Sequence, residues 1–287
     1  MGSPRIGAGL KTFSAKILLF GEYTVIRGGQ ALAIPFDNFK GHWGRGAPAI
    51  DWNPLLRFLG AHPELEIDIQ RLQHDLQNGG GFVSSIPQGK GLGSSGALVA
   101  GLLASYGPEK EWSLVEVRSR LAALESCYHG QSSGVDPLVS WVGKPLLLKG
   151  ANDPEVAKMP VETWQKLDRW FLYDSGVARY SAPLVALYKK KTEDPEFAAT
   201  MEHLDALVSE AIECYEHLDE ALMGQTMRAL STLELKAFDE MIPASVKSVW
   251  QQGLESGDFA LKLCGAGGGG YFLGYRLKAA PSGVLKF

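Results

Sequence analysis

Cysteine is scarce: Cys127, Cys214 and Cys264 are the only three in 287 residues, and they lie far apart. An odd, sparse set offers neither a disulfide framework nor a CxxC metal clip, and it points to a reducing, cytoplasmic setting. Positive charge is not in excess. Lys and Arg number 28 against 32 Asp and Glu, a net charge of −4, so the basic footprint of a nucleic-acid binder is missing. No apolar run reaches the ~18 residues a membrane span needs, and the first dozen residues lack the charged-then-apolar order of a secretory leader. Six histidines with no HxxxH pair and no Cys/His cluster speak against a zinc site. What remains is an ordinary globular composition, 45% hydrophobic and 21% charged, long enough for one large domain or two.

Glycine is abundant, 34 residues, and it is concentrated at 87–96 and 265–270. Around these clusters the hydrophobic pattern predicts mixed elements. Ala15 to Phe20 and Gln30 to Pro35 read as strands joined through Arg27-Gly28-Gly29, a plausible hairpin. Leu65 to Arg71 alternates apolar and polar, the pattern of a half-buried strand. Ala97 to Tyr106 is apolar all round and reads as a buried helix. Ser113 with Glu116 forms a capping box at the head of an amphipathic helix to Tyr128. Leu146 to Lys149 and Trp170 to Tyr173 read as strands. Ser181 to Ser256 is almost wholly helical with breaks near Pro195, Gly224 and Pro243. Strands at 260–263 and 271–275 flank the second glycine cluster. Without strict βαβ alternation the class is α+β. The polar, Pro-containing stretch from 150 to 160 suggests one boundary, giving domains 1–160 and 161–287.

The segment from Pro87 to Gly96 carries four glycines and two serines and leads straight into an apolar helix. Glycines let backbone approach a ligand. The amides of the helix's first turn then face that ligand with the positive end of the macrodipole behind them, a natural phosphate seat. A flexible loop with a good helix start is the plainer alternative. Gly91-Leu-Gly93-Ser-Ser-Gly96 matches GxGxxG, but Pro87 to Lys90 separates it from any strand, which argues against a dinucleotide turn. Gly89-Lys90 is followed by glycine, so a Walker A loop fails.

Pro87-x-Gly89-x-Gly91-Leu92-Gly93-Ser94-Ser95-Gly96-Ala97 resembles the PxGxGLGSSAA phosphate loop of the GHMP kinases. Ala15-Lys16-Ile17-Leu18-Leu19-Phe20-Gly21-Glu22-Tyr23 resembles their N-terminal GKxxLxGEH motif, and Leu263 to Gly270 resembles the C-terminal KxCGAGGGG motif. Three motifs in order span nearly the whole chain. Within the family, His129-Gly130 to Asp136 resembles the HGxPSGxD segment of mevalonate kinases, and Asp174 to Ser181 resembles their DTxxxRxT segment. Ser14-Ala15 stands where Pro-Gly is usual, Tyr23 where histidine is usual, and Gln131-Ser132 replaces Asn/Thr-Pro.

The resemblance implies a two-domain GHMP fold: an N-terminal domain like ribosomal protein S5 domain 2 and a ferredoxin-like, helix-rich C-terminal domain. It implies ATP and Mg²⁺ as cofactors and a small hydroxylated substrate, mevalonate or phosphomevalonate, with no nucleic-acid or membrane partner; a homodimer is left open. By the same resemblance Asp136 and Lys16 are catalytic. Lys90, Gly91, Leu92, Gly93, Ser94, Ser95 and Gly96 bind ATP, while Ser95 and Glu125 hold the metal. Glu22, Tyr23, Arg179 and Ser181 meet the substrate, and Gly265, Ala266, Gly267 and Gly268 form a loop closing over phosphate. Each has a plainer reading. Asp136 can be a helix-start aspartate, Lys16 a lysine snorkelling from a strand end, Glu125 a solvated helix glutamate, and Arg179 an exposed loop arginine. A fold that binds nucleotide without turnover is the alternative of a different class.

Overall fold

The computed structural model describes residues 11–48, 50–130, 132–149, 154–159, 168–179 and 181–287, without the side chains of His129, Ser181 and Ala182. By its contacts the chain divides into two compact units, each assembled from three separate stretches. The first takes the residues up to Lys16, Pro35–Pro87 and Leu92–Lys144, and the second takes Ile17–Ile34, Gln88–Gly91 and Pro145–Phe287.

The first unit begins with the start of strand β1 (Phe13–Phe20) and the latter part of β2 (Gln30–Arg45). It continues through helices α1 (Asn53–Ala61) and α2 (Ile69–Gln77), strand β3 (Gly80–Ser84), and helices α3 (Ser94–Tyr106), α4 (Leu114–His129) and α5 (Val135–Val142). Strand β3 pairs antiparallel with the end of β2, Gly41 opposite Ser84 and Arg45 opposite Gly80. Helix α3 is the spine of this unit. Its Ala97, Val99, Ala100, Leu102 and Leu103 are buried, as an apolar pattern on every face requires. Gly101 is needed where α3 runs past Trp43 and Phe82, since a Cβ there would lie 2.9 Å from both rings. Helix α4 opens with the expected capping box between Ser113 and Glu116.

The strand expected at Leu65 to Arg71 is instead a short 3-10 turn, Pro63–Leu65, followed by α2. The Asp68 carboxylate accepts the Arg71 amide and caps the helix. A short alternation of apolar and polar residues fits a helix face nearly as well as a strand, and the cap decides.

The second unit holds the end of β1, the start of β2, and strands β4 (Leu146–Lys149), β5 (Glu155–Val156), β6 (Trp170–Asp174), β7 (Phe259–Lys262), β8 (Tyr271–Arg276) and β9 (Leu285–Lys286). Strand β4 pairs antiparallel with β2 (Ala31 opposite Leu148) and carries β5 on its other side. A four-stranded antiparallel sheet runs β7-β8-β6-β9. Helices α6 (Ser181–Lys191), α7 (Pro195–His217), α8 (Glu220–Ala237) and α9 (Ala244–Ser256) complete it. The helical break expected near Gly224 falls earlier, at Leu218 and Asp219. Leu218 takes φ 57°, and Asp219 caps α8 by accepting the Leu222 amide. Gly224 lies inside α8, where a Cβ would come within 3.3 Å of Leu277. The chain is α+β, as its pattern predicts. Among the described residues no helix is long and apolar enough to cross a membrane.

Candidate active site

In the first unit two helix N-termini meet. Helix α3 starts after Gly93, which takes φ 72°, and α5 starts after Gly134, also at φ 72°. The first bonds within the helices run from Ala97 N–H to Gly93 C=O and from Leu138 N–H to Gly134 C=O. The first-turn amides of each helix therefore have no carbonyl of their own helix to bond. The two backbones touch at Gly96, where a Cβ would stand 2.9 Å from the Pro137 nitrogen. Two positive dipole ends thus converge within one unit, an arrangement suited to anionic oxygen.

Lys16 enters this junction from β1. Its backbone amide donates to Leu92 C=O at 3.0 Å, and its stem passes Gly93 so closely that a Cβ there would lie 2.8 Å from Lys16 Cγ. Its ammonium, on a side chain only 4% exposed, sits 2.9 Å from Asp136 Oδ2, whose side chain is 41% exposed. That asymmetry decides between readings. The lysine does not snorkel into solvent; it is enclosed and holds a carboxylate that is itself open to a reactant. Asp136 lies in the first turn of α5, at the positive end of that helix's dipole.

Glu125 on α4 is 5% exposed and is not a solvated glutamate. It accepts the Ser95 hydroxyl at 2.9 Å and the Ser132 hydroxyl as well. Ser132 Oγ in turn accepts the Gly134 amide at 3.0 Å, which links the metal-candidate pair to the head of α5. Among the described residues no group of three or more His, Cys, Asp or Glu side chains is placed to cage a metal. One carboxylate and one hydroxyl fit the habit of Mg²⁺, which takes few protein oxygens and completes its shell with phosphate and water.

The second unit holds the other glycine cluster. The Arg179 guanidinium lies against two glycines: a Cβ on either Gly91 or Gly265 would come within 2.4 Å of its Nη1. Nη1 donates to Cys264 C=O at 2.8 Å. The stretch 88–91 is fastened here, with the Arg179 amide donating to Gly89 C=O and the Tyr271 amide to Lys90 C=O. The Lys90 ammonium is bound by both Asp174 oxygens, at 2.5 and 2.8 Å. It is therefore engaged by a carboxylate, and Asp174, which the motifs do not single out as a partner, is what engages it.

Glu22 and Tyr23, expected at the substrate, are turned inward. The Glu22 carboxylate, buried, accepts the Lys262 ammonium at 2.6 Å and the Gly265 amide at 3.4 Å. Tyr23 adopts φ 64°, stacks between Tyr188 and Phe238, and donates its hydroxyl to Ala266 C=O at 2.6 Å. Burial pushes its phenol well above the usual range. Both residues thus brace the segment 265–266. Gly267 and Gly268 continue it with φ 76° and 75°, and the Gly268 amide donates to Met241 C=O. The Ser181 side chain lies outside the described residues. Lys262 and Glu234 complete the bracing; Lys262 stands at the lysine of the KxCGAGGGG pattern but outside the site residues that the resemblance implies, and Glu234 lies in none of the motifs. Lys262 sits in an otherwise apolar strand, and a lone charge in such a run is the signal that finds it.

Residues 63–144 match the family described as the GHMP kinases N terminal domain. This chain is 26% identical over 289 residues to a mevalonate kinase of Archaeoglobus fulgidus, spanning 93% of this chain and 92% of that protein. Over residues 63–144 the chain thus carries a GHMP kinases N terminal domain. Solved structures of the family share its fold. The mevalonate kinase of L. major in complex with R-mevalonate superposes with a TM-score of 0.64 at 21% identity, covering 98% of this chain and 91% of that one. The Streptococcus pneumoniae phosphomevalonate kinase with phosphomevalonate and AMPPNP gives 0.64 at 15% identity, covering 94% and 92%. The GHMP loop from Pro87 to Gly96 falls partly in each unit, Gln88–Gly91 in the second and the helix head from Leu92 in the first.

Proposed function

We propose that this GHMP kinase transfers the terminal phosphoryl group of ATP to the hydroxyl of mevalonate. The observation that carries the reading is the Lys16–Asp136 pair, an enclosed cation fixing an open carboxylate where the α3 and α5 N-termini converge. Phosphoryl transfer needs positioning and charge stabilisation more than covalent chemistry from the protein. First-turn amides of α3, with Ser94 and Ser95, bind phosphate oxygens. Asp136 accepts the proton of the substrate hydroxyl as its oxygen attacks phosphorus, and the bond to the departing ADP oxygen breaks. Lys16 holds the Asp136 carboxylate in place and balances charge on the transferring group. Ser95 and Glu125 would hold Mg²⁺, which when bound draws charge from the phosphate oxygens. Arg179, with a planar, always charged guanidinium, suits an anionic acceptor such as a carboxylate or phosphate ester.

The mevalonate assignment rests on the HGxPSGxD-like and DTxxxRxT-like segments and on the archaeal relative that spans almost the whole chain. A coupled ADP-release assay with mevalonate, phosphomevalonate, galactose and homoserine side by side tests it. Turnover with mevalonate at least tenfold above the others is the expected outcome. Preference for another acceptor moves the assignment within the family, and no ADP release with any of them refutes the kinase reading.

A further inference from the structure

Five of the eight backbone polar groups from Leu263 to Ala266 are each held by a side chain. The Leu263 amide donates to Glu234 Oε2 at 2.8 Å. Leu263 C=O accepts the Lys262 ammonium at 2.6 Å, and Cys264 C=O accepts Arg179. The Gly265 amide donates to Glu22, and Ala266 C=O accepts Tyr23. Three of the holders, Glu22, Glu234 and Lys262, are nearly inaccessible to solvent. They bring two carboxylates to one ammonium. Glu22 bonds that ammonium directly, whereas Glu234 bonds only an amide.

We propose that Glu234, on α8 and outside every motif of the family, is a positioning residue whose protonation sets how firmly the 263–266 backbone, and through Cys264 the Arg179 guanidinium, is held. With Glu234 protonated, Lys262 belongs wholly to Glu22 and to Leu263 C=O, and the cluster is neutral. A proton on Oε1 leaves the Oε2 bond to Leu263 intact. Ionised Glu234 adds a second buried negative charge that competes for Lys262, loosening the grip of Glu22 on Gly265 and of Lys262 on Leu263. Lys262 from β7 and the Leu263 amide favour ionisation of Glu234, and Glu22 from the turn after β1 opposes it. Tyr23, from the same turn, feels the Glu234 charge in return, and Arg179 acts on Tyr23. Burial is the largest influence and pushes the Glu234 carboxyl up to about 7.

A raised carboxyl has a definite sign. Between the ordinary carboxylate range and about 7 the folded chain binds a proton that the unfolded chain has lost, so stability falls as pH rises through that window and then levels. The grip on Arg179 changes near pH 7, where the folded form itself ionises. The inference about Arg179 rests on the kinase reading; the inference about the cluster does not. The test is thermal melting of the whole chain and of Glu234→Gln from pH 5 to 9, with KM for mevalonate and kcat measured alongside. The wild type should lose melting temperature from pH 5 to 7 and show a KM for mevalonate severalfold higher at pH 8 than at pH 6. Glu234→Gln, which mimics the protonated acid, should keep the wild type's low-pH KM throughout and lose most of the melting trend, burial of Glu22 supplying what is left. Glu234→Ala should have a raised KM at every pH. Trends undiminished in Glu234→Gln overturn the proposal, as does a wild type with no trend. If no pH supports turnover of any acceptor, the kinase reading falls, and the melting series alone decides the role of Glu234.

Discussion

Helix α5 carries Asp136 and has a left-handed glycine at each end, which makes a matched pair of substitutions informative. Gly134 (φ 72°) precedes it and Gly143 (φ 63°) follows it. An alanine at either position pays the left-handed backbone cost, ~1–2 kcal/mol. At Gly143 nothing lies within 4 Å, so that is the whole cost. At Gly134 the new Cβ would stand 2.5 Å from Arg118 C=O and 3.0 Å from Ala122 Cβ, both on α4. A carbonyl in a helix cannot rotate away, so α5 must move off α4, adding the ~1–3 kcal/mol typical of overpacking. Gly134→Ala should therefore lose about 2–5 kcal/mol and Gly143→Ala about 1–2. The displacement required is close to 1 Å, carried by the end of α5 that presents Asp136. Misplacement on that scale costs up to ~10²-fold in rate. Urea unfolding with ADP-release kinetics on the same two variants separates the effects, kcat falling for Gly134→Ala and holding for Gly143→Ala. Equal stability losses, or a full kcat in Gly134→Ala, would show that the packing of α5 on α4 does not set the carboxylate.

Asp136→Asn should lose most of kcat while ATP affinity stays nearly unchanged, measured by single-turnover kinetics and calorimetry; undiminished turnover removes it from the proton transfer. Glu125→Gln should raise the Mg²⁺ concentration needed for half-maximal rate, and an unaltered Mg²⁺ titration takes it out of the metal site. Lys262→Met leaves two buried carboxylates without their cation and should cost ~3–5 kcal/mol at pH 8. That loss should shrink toward pH 5 as the carboxyls protonate, and a pH-independent loss in denaturant unfolding contradicts the pairing.

Much of the site was legible because its parts are local. The helix head at Gly93, the capping box at Ser113 and the buried helix after Ser95 all follow from residue type and spacing within one turn. The partners of the charges were less legible, because ion pairs such as Lys262–Glu22, 240 residues apart, leave no local pattern. Glu22 and Tyr23 illustrate the limit. They sit in a recognisable motif, yet which way a side chain points after a turn is decided by the strands around it. The division of the chain was also hidden. A change of composition near 150–160 marks one break, whereas the units exchange chain at residues 17, 35, 88, 92 and 145. The strand expected at 65–71 failed for want of length, since seven residues carry too few repeats to separate a period of 2 from one of 3.6.

The enclosure of α3 has a consequence for how this protein can change over generations or in a designer's hands. A helix with eight of its 13 residues buried and none exposed offers few positions that accept a new side chain, so the head that the proposed function gives to phosphate is hard to retune by drift in its foundation. Under the proposed function, acceptor preference is more readily rewritten from loops such as 175–179, where Gly176, Val177 and Ala178 are open to solvent. A library restricted to that loop should yield altered acceptors at far higher frequency than one directed at α3.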